Sequence, residues 1–185
     1  MLKEIYGEAE QRMGKSIEVL KKDFASIRAG RANPAILDKV RVDYYGVPTP
    51  INQMANISVP EPRLLMVTPW DKSVIGNIEK AILKSDLGLN PNNDGSIIRI
   101  SIPQLTEERR KDLVKMVKRK SEDFRVEIRN ARRDANDQVK MFEKEGEISE
   151  DDARKGVDKI QELTDKYVEK INQILENKEM EIMEV

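Results

Sequence analysis

The feature that most limits how this chain can fold is one apolar stripe running along much of its second half. Leu113, Val117, Phe124, Ile128, Ala131, Ala135, Val139 and Phe142 recur at three- and four-residue spacing, the period of a single helical face. Thr106 stands at the start as an N-cap, with Glu107 and Glu108 in the first turn where the helix dipole favours acids, and Gly146 closes the segment. A helix of about 40 residues is roughly 60 Å long, about twice the width of a small domain. Two further stripes match it. Tyr6, Ala9, Met13, Ile17, Leu20, Phe24 and Ile27 predict a helix from Leu2 to about Ile27, ended by Gly30. Ser149 caps a third, striped by Ala153, Val157, Ile160, Tyr167, Ile171 and Ile174, with Val168, Leu175 and Ile182 on its flank. Helices with one apolar stripe each must bury those stripes on one another, which predicts a rod-like antiparallel three-helix bundle.

Between Arg31 and Pro103 the texture changes, and most of the prolines and glycines lie there. Val40, Val42 and Tyr44 alternate with charged and polar neighbours as a half-buried strand does. Gly46 to Pro50 reads as a turn, and Gln53 to Val59, Leu64 to Thr68 and Ile97 to Ile102 as strands. Asp71 caps a short helix carrying Val74, Ile75, Ile78, Ala81 and Ile82, ended by Gly88. Asn92-Asn93-Asp94-Gly95 is a tight hairpin signal. Trp70, between Pro69 and the Asp71 cap, is expected to pack that helix on its sheet. The fold class is therefore α+β: residues 1–29 plus 106–185 form the bundle, and residues 30–105 form an inserted β/α/β module. Gly30, Arg31, Ala32, Asn33 and Pro34 lead out of the bundle, and Pro103, Gln104, Leu105 and Thr106 lead back. Two short linkers permit hinge motion and prevent free tumbling.

Several functional classes drop out. With no cysteine and no histidine, disulfides, thiolate nucleophiles, histidine acid–base catalysis and the common zinc and haem ligands are excluded. The acids show no EF-hand spacing, and neither phosphate-cradling loop nor dinucleotide fingerprint occurs. Asp71, Asp86 and Asp94 are better explained as cap or turn residues than as catalysts. No stretch approaches the roughly 20 apolar residues of a membrane span, and the first residues resemble neither signal nor transit peptide. The expectation is a soluble, cytoplasmic, non-enzymatic protein without cofactor, metal or small-molecule substrate.

The formal net charge is -1, so binding to a polyanion requires local segregation of charge. The long helix of the second half supplies it. Projected at about 100° per residue, Lys111, Lys115, Lys118, Arg125, Arg129, Arg132, Arg133 and Lys140 fall on one flank of the stripe. Asp123, Glu127, Asp134 and Asp137 fall on the other. Arg125–Arg129, Arg129–Arg132 and Arg129–Arg133 are like charges one turn apart, costing roughly 0.2–0.5 kcal/mol per pair in an isolated helix. Two accounts can offset that cost. Acids of the third helix (Asp158, Glu162, Asp165, Glu169) can pair with the arginines, or the guanidinium row can meet phosphates, which arginine's planar fork engages with two hydrogen bonds. Arg28 and Arg31 at the first linker add charge that turn formation does not require.

Arg28-Ala29-Gly30-Arg31-Ala32-Asn33-Pro34, followed by Val42-Asp43-Tyr44-Tyr45-Gly46-Val47-Pro48-Thr49-Pro50, resembles the signature of the ribosome recycling factor family. Ser85 to Pro91, Leu105 to Lys111 and Ile128 to Asp134 resemble further blocks in the same order, with Asn33 and Ala131 as mild departures. This resemblance implies an L-shaped protein that binds between the ribosomal subunits, mainly through the bundle, to RNA of the large subunit. It implies that elongation factor G with GTP then acts on the complex to split the subunits, the GTPase residing in that partner. The family's RNA-contacting arginines map onto Arg129 and Arg132; position and charge add Arg125, Arg133, Arg28 and Arg31. The rival reading is a coiled-coil chaperone adaptor or nucleotide-exchange factor. Such a protein would bind a folded partner and usually dimerise, whereas three stripes in one chain predict a monomer.

Overall fold

The structure, a computed structural model, describes residues 1–27 and 30–184. It divides into two compact units, Met1–Phe24 with Glu108–Val185, and Ala25–Glu107.

The first unit is built from three helices, α1 (Leu2–Ala25), α3 (Glu107–Lys144) and α4 (Glu150–Met183); the shorter α2 (Ile75–Lys84) belongs to the second unit. Pairs across the seams give their directions. Arg12 meets Asp134 and Ser16 meets Glu127, so α1 and α3 run antiparallel. Arg125 meets Asn172 and Arg132 meets Gln161, so α3 and α4 do too. Ile5, Ala9, Ala135, Val139, Ala153 and Ile160 pack in one cluster. Gly156 of α4 lies where an added Cβ would meet Leu2, Tyr6 and Val139, each at 3.4 Å, and so lets three helices approach closely.

The α3–α4 connection is set by its caps. Gly146 (φ 77) places its N–H on the Glu143 carbonyl at 3.0 Å, while Glu147 N–H reaches Phe142 at 2.9 Å. That pair of bonds is the Schellman arrangement, which needs a left-handed residue. The Ser149 side chain then accepts from the Asp152 N–H at 3.1 Å, with Glu150, Asp151 and Asp152 in the first turn of α4.

The buried stripes agree with the sequence periodicity except at polar intruders. Ser121 is fully buried in the α3 stripe with its hydroxyl unpartnered, and Lys178 is buried in α4 beside Glu181 at 3.3 Å.

The second unit holds a two-stranded sheet, β1 (Arg41–Tyr44) with β2 (Val47–Pro50), and a four-stranded antiparallel sheet. The latter has the order β3 (Ala55–Glu61), β4 (Leu64–Pro69), β6 (Ile98–Ser101), β5 (Pro91–Asn93). Alternation on β4 and β6 buries Leu65, Val67, Ile98 and Ile100 on one face. These share a core with Ile75, Ile78 and Ile82 of α2 (Ile75–Lys84) and with Val42 of β1. Each such burial contributes about 1.5–3 kcal/mol.

Four expectations change here. Val47 to Pro50 is a strand, and the turn is Tyr45-Gly46, both with positive φ (48 and 82), as a two-residue mirror-image hairpin turn requires. Tyr44 pairs with Val47, so Pro48 and Pro50 occupy the alternate positions of the ladder. Their missing N–H groups therefore point away from β1, where no hydrogen bond is lost. Asn92-Asn93 similarly belongs to edge strand β5, and the turn falls at Asp94 to Ile97. α1 ends at Ala25 and α2 at Lys84, so neither Gly30 nor Gly88 caps a helix; each lies beyond the helix end at positive φ. Trp70 is 69% exposed and does not pack α2 on the sheet; its backbone N–H holds the Met54 carbonyl at 3.1 Å instead.

Candidate nucleic-acid interface

The two flanks of α3 face different surroundings. Two acids of the acidic flank meet α1: Asp134 accepts from Arg12 at 2.5 Å and Glu127 from Ser16 at 3.1 Å. The basic flank lies along α4 and toward solvent.

Arg125 donates from Nε (3.1 Å) and Nη2 (2.7 Å) to the Asn172 side-chain oxygen, and from Nη1 to Glu122 at 3.0 Å. Arg129 donates to the other Glu122 oxygen at 3.1 Å and remains 47% exposed. Arg132 donates to the Gln161 oxygen at 3.2 Å, and Gln161 Nε2 passes a bond on to Asp165 at 2.8 Å. Arg133 is exposed, with neither hydrogen bond nor ion pair among the described residues.

The cross-bundle account of the arginine row is therefore corrected. Among the described residues, neither hydrogen bond nor ion pair joins these arginines to Asp158, Glu162, Asp165 or Glu169. Glu162 instead takes Lys159 of its own helix at 3.3 Å. The arginines' partners across the seam are amides, while Lys118 farther along the flank does meet an acid of α4, Glu179, at 3.8 Å. An amide oxygen fixes a guanidinium by a hydrogen bond without cancelling its charge, so the row is oriented yet still cationic.

One carboxylate does intervene, and the charge pattern alone did not single it out. Glu122 projects about 160° from Phe124, between Arg129 at about 140° and Arg133 at about 180°, inside the basic sector. Its hydrogen bonds from Arg129 and then Arg125 hold its carboxyl below the usual range. It offsets the like-charge repulsion within the row. Exposed ion pairs of this kind contribute little to stability, so a phosphate can displace it.

Of the remaining candidates, Arg28 lies outside the described residues, and Arg31 is exposed in the second unit. The linker residues are partly tied down. Ala32 N–H donates to Pro62 at 2.8 Å and Ile102 N–H to Arg63 at 2.8 Å, so both chain crossings are clipped to one β3–β4 turn. Asn33 caps a short 3-10 turn, Pro34–Leu37. Gly30 (φ 78) packs against Leu105, while Pro103, Gln104 and Thr106 are exposed. Among the described residues no group of three or more acids is placed to hold a metal ion, and no helix is long and apolar enough to cross a membrane.

The family model described as "Ribosome recycling factor" matches residues 20–183. The chain belongs to the ribosome recycling factor family. A ribosome-recycling factor of Syntrophomonas wolfei is 62% identical over 185 residues, covering 100% of both chains. One from Natranaerobius thermophilus is 61% identical, covering 96% of this chain and 97% of its own. A solution structure of the ribosome recycling factor superposes with a TM-score of 0.80 at 42% identity, over 100% of this chain and 98% of that one. A second solved relative has a TM-score of 0.68 at 49% identity and covers 99% of each chain. It is the T. thermophilus ribosome recycling factor, described with the E. coli elongation factor G bound to the E. coli post-termination complex. Recycling-factor membership sets aside the chaperone-adaptor reading.

Proposed function

We propose that this chain recycles ribosomes: it binds the post-termination ribosome through RNA of the large subunit and, with elongation factor G and GTP, splits it into subunits. It acts in the cytoplasm as a monomer and performs no chemistry of its own, GTP being hydrolysed by elongation factor G. The observation that carries this reading is the outward row of Arg129, Arg132 and Arg133: among the described residues no acid of α4 pairs with them, Arg132 meets the amide of Gln161, and Arg129 is held by the displaceable Glu122. Arg125, half-buried at the edge of the row, contributes charge from a fixed position. Arg28 and Arg31 are further candidate contacts to RNA, by charge and position in the sequence. The names of the relatives, and the complex in which one of them was described, support the same reading.

Two linkers, Gly30 to Pro34 and Pro103 to Thr106, join the bundle (residues 1–29 and 106–185) to the insert (30–105) as a hinge. Ala32, Asn33 and Pro34 are its anchored side, because they are held to the insert, and the pivots are Gly30, Arg31 and Pro103 to Thr106. The bundle stays docked while the insert changes angle under the push of the GTPase.

Subunit splitting with purified vacant ribosomes, elongation factor G and GTP tests this, read by light scattering. The parent chain splits ribosomes. Arg132→Ala co-pellets with them more weakly, and parent binding falls with added salt with a log–log slope of order one per phosphate contacted. Normal binding and splitting by Arg132→Ala across a range of salt would overturn the anchoring role. Cross-linking bundle to insert should block splitting and spare binding; normal turnover of the cross-linked form removes the hinge from the mechanism.

A further inference from the structure

The insert carries a second concentration of unpaired positive charge. Strand β1 and helix α2 lie side by side, Asn77 Nδ2 donating to the Asp43 carbonyl at 3.4 Å. Between them is a groove of about 480 Å³, into whose rim Lys39, Arg41, Lys80 and Lys84 converge, with Asp43 and Ser85. All four cations are exposed, and none has an ion-pair partner among the described residues. The one acid is occupied: Asp43 accepts from the Gly46 N–H at 2.8 Å. Arg41 is aimed by its own backbone, Nη1 donating to the Asp38 carbonyl at 2.6 Å and the Val40 carbonyl at 3.3 Å. Lys80 and Lys84 stand one helical turn apart, a like-charge pair that is unfavourable in isolation.

The lining decides what kind of anion fits. The apolar residues in it are Val40, buried in the insert's own core, and Ala81. An amphipathic acidic helix needs apolar anchors along its groove, and this one offers no such row. A sugar–phosphate backbone needs only converging donors and positive charge. Arg41 gives a fixed fork suited to a phosphate, and the three lysines surround it as mobile point charges.

We propose that the β1–α2 groove is a second phosphate-binding surface, which grips the backbone of ribosomal RNA independently of the arginine row on α3. The inference rests on the ribosome-binding reading above and adds a contact from the insert.

Two measurements on the full chain test it together. The first is the salt dependence of binding to vacant ribosomes for the parent and for Lys80→Glu/Lys84→Glu, whose substituted side chains are exposed. The double variant should lose about two units of log–log slope. The second uses Ser85→Cys, which gives a single attachment point because the chain has no cysteine. Iron–EDTA tethered there should cut ribosomal RNA at a discrete locus. Both results support the groove. An unchanged slope, or a lowered slope without RNA cleavage, overturns it, the latter pointing to an acidic protein surface. If the parent does not bind ribosomes, both readings fall; if it binds and only the groove variants are silent, this one alone falls.

Discussion

Arg125 and Asn172 are joined twice across the seam between α3 and α4, one amide oxygen accepting from both Nε and Nη2. The Arg125 side chain is only 18% exposed, so its loss leaves a half-buried amide without its donors. Arg125→Ala should therefore cost about 1–2 kcal/mol of stability and weaken ribosome binding less than the loss of an outward-facing arginine does. Arg133→Ala should do the reverse, with stability within about 0.5 kcal/mol of the parent and weaker binding. Thermal unfolding beside co-pelleting separates the two. Equal effects of both variants on both measurements would contradict the division of labour.

Glu122 competes with any phosphate for Arg129. Glu122→Gln removes the competing charge, so ribosome affinity should rise and the log–log salt slope should steepen by up to about one. Weaker binding by this variant would mean that the carboxylate positions the arginines more than it masks them.

Asp94 sets the acid limit of the β5–β6 hairpin. N–H groups of Ser96 and Ile97, followed by Arg99, hold its carboxyl down at about 2 from the ordinary 3.8. A folded-state value below the unfolded one stabilises above the unfolded value and is lost as the pH falls through the folded one. The hairpin should thus weaken between pH 3.8 and about 2. Asp94→Asn should flatten that part of the curve, as followed by amide NMR of residues 91–101.

Glycines separate by backbone. Gly30 has φ 78 and would bring a Cβ within 3.3 Å of Leu105, so Gly30→Ala should destabilise by about 1–3 kcal/mol. Gly7, exposed inside α1 with nothing within 4 Å of an added Cβ, should gain about 0.5–1 kcal/mol on replacement by alanine. Chemical denaturation of the two variants checks the opposite signs.

Trp70 is the single tryptophan of the chain and is 69% exposed. Its fluorescence in the native protein should be red-shifted and readily quenched by acrylamide. A blue-shifted, protected emission would place the indole in a core.

What the sequence made legible, and what it did not, divides by range. The 3.6-residue period exposed the long helices, and Ser149 and Gly146 marked the turn between α3 and α4, because cap chemistry is local. The Val47–Pro50 strand was hidden because two prolines read as a turn; only their pairing with Arg41 and Asp43 shows that their missing N–H groups face outward. The basic flank of α3 was visible from spacing. Its partners were not, since whether Arg132 meets Gln161 or an acid depends on how far α4 is rotated and shifted along the seam. Neither quantity is encoded within one helix.

The bundle is assembled from chain on both sides of the insert, and this orders events during synthesis. The insert is one contiguous stretch from Ala25 to Glu107 and has all its core residues as soon as that stretch emerges. α1 is made first and has nothing to pack on. Its Met13, Leu20 and Phe24 await α3 and then α4, which ends roughly 160 residues later, or about 8–30 s at typical speeds of synthesis. Most of a helix's stability in a protein comes from packing its apolar face, so the nascent segment that carries α1 stays sticky until the later helices arrive to shelter it.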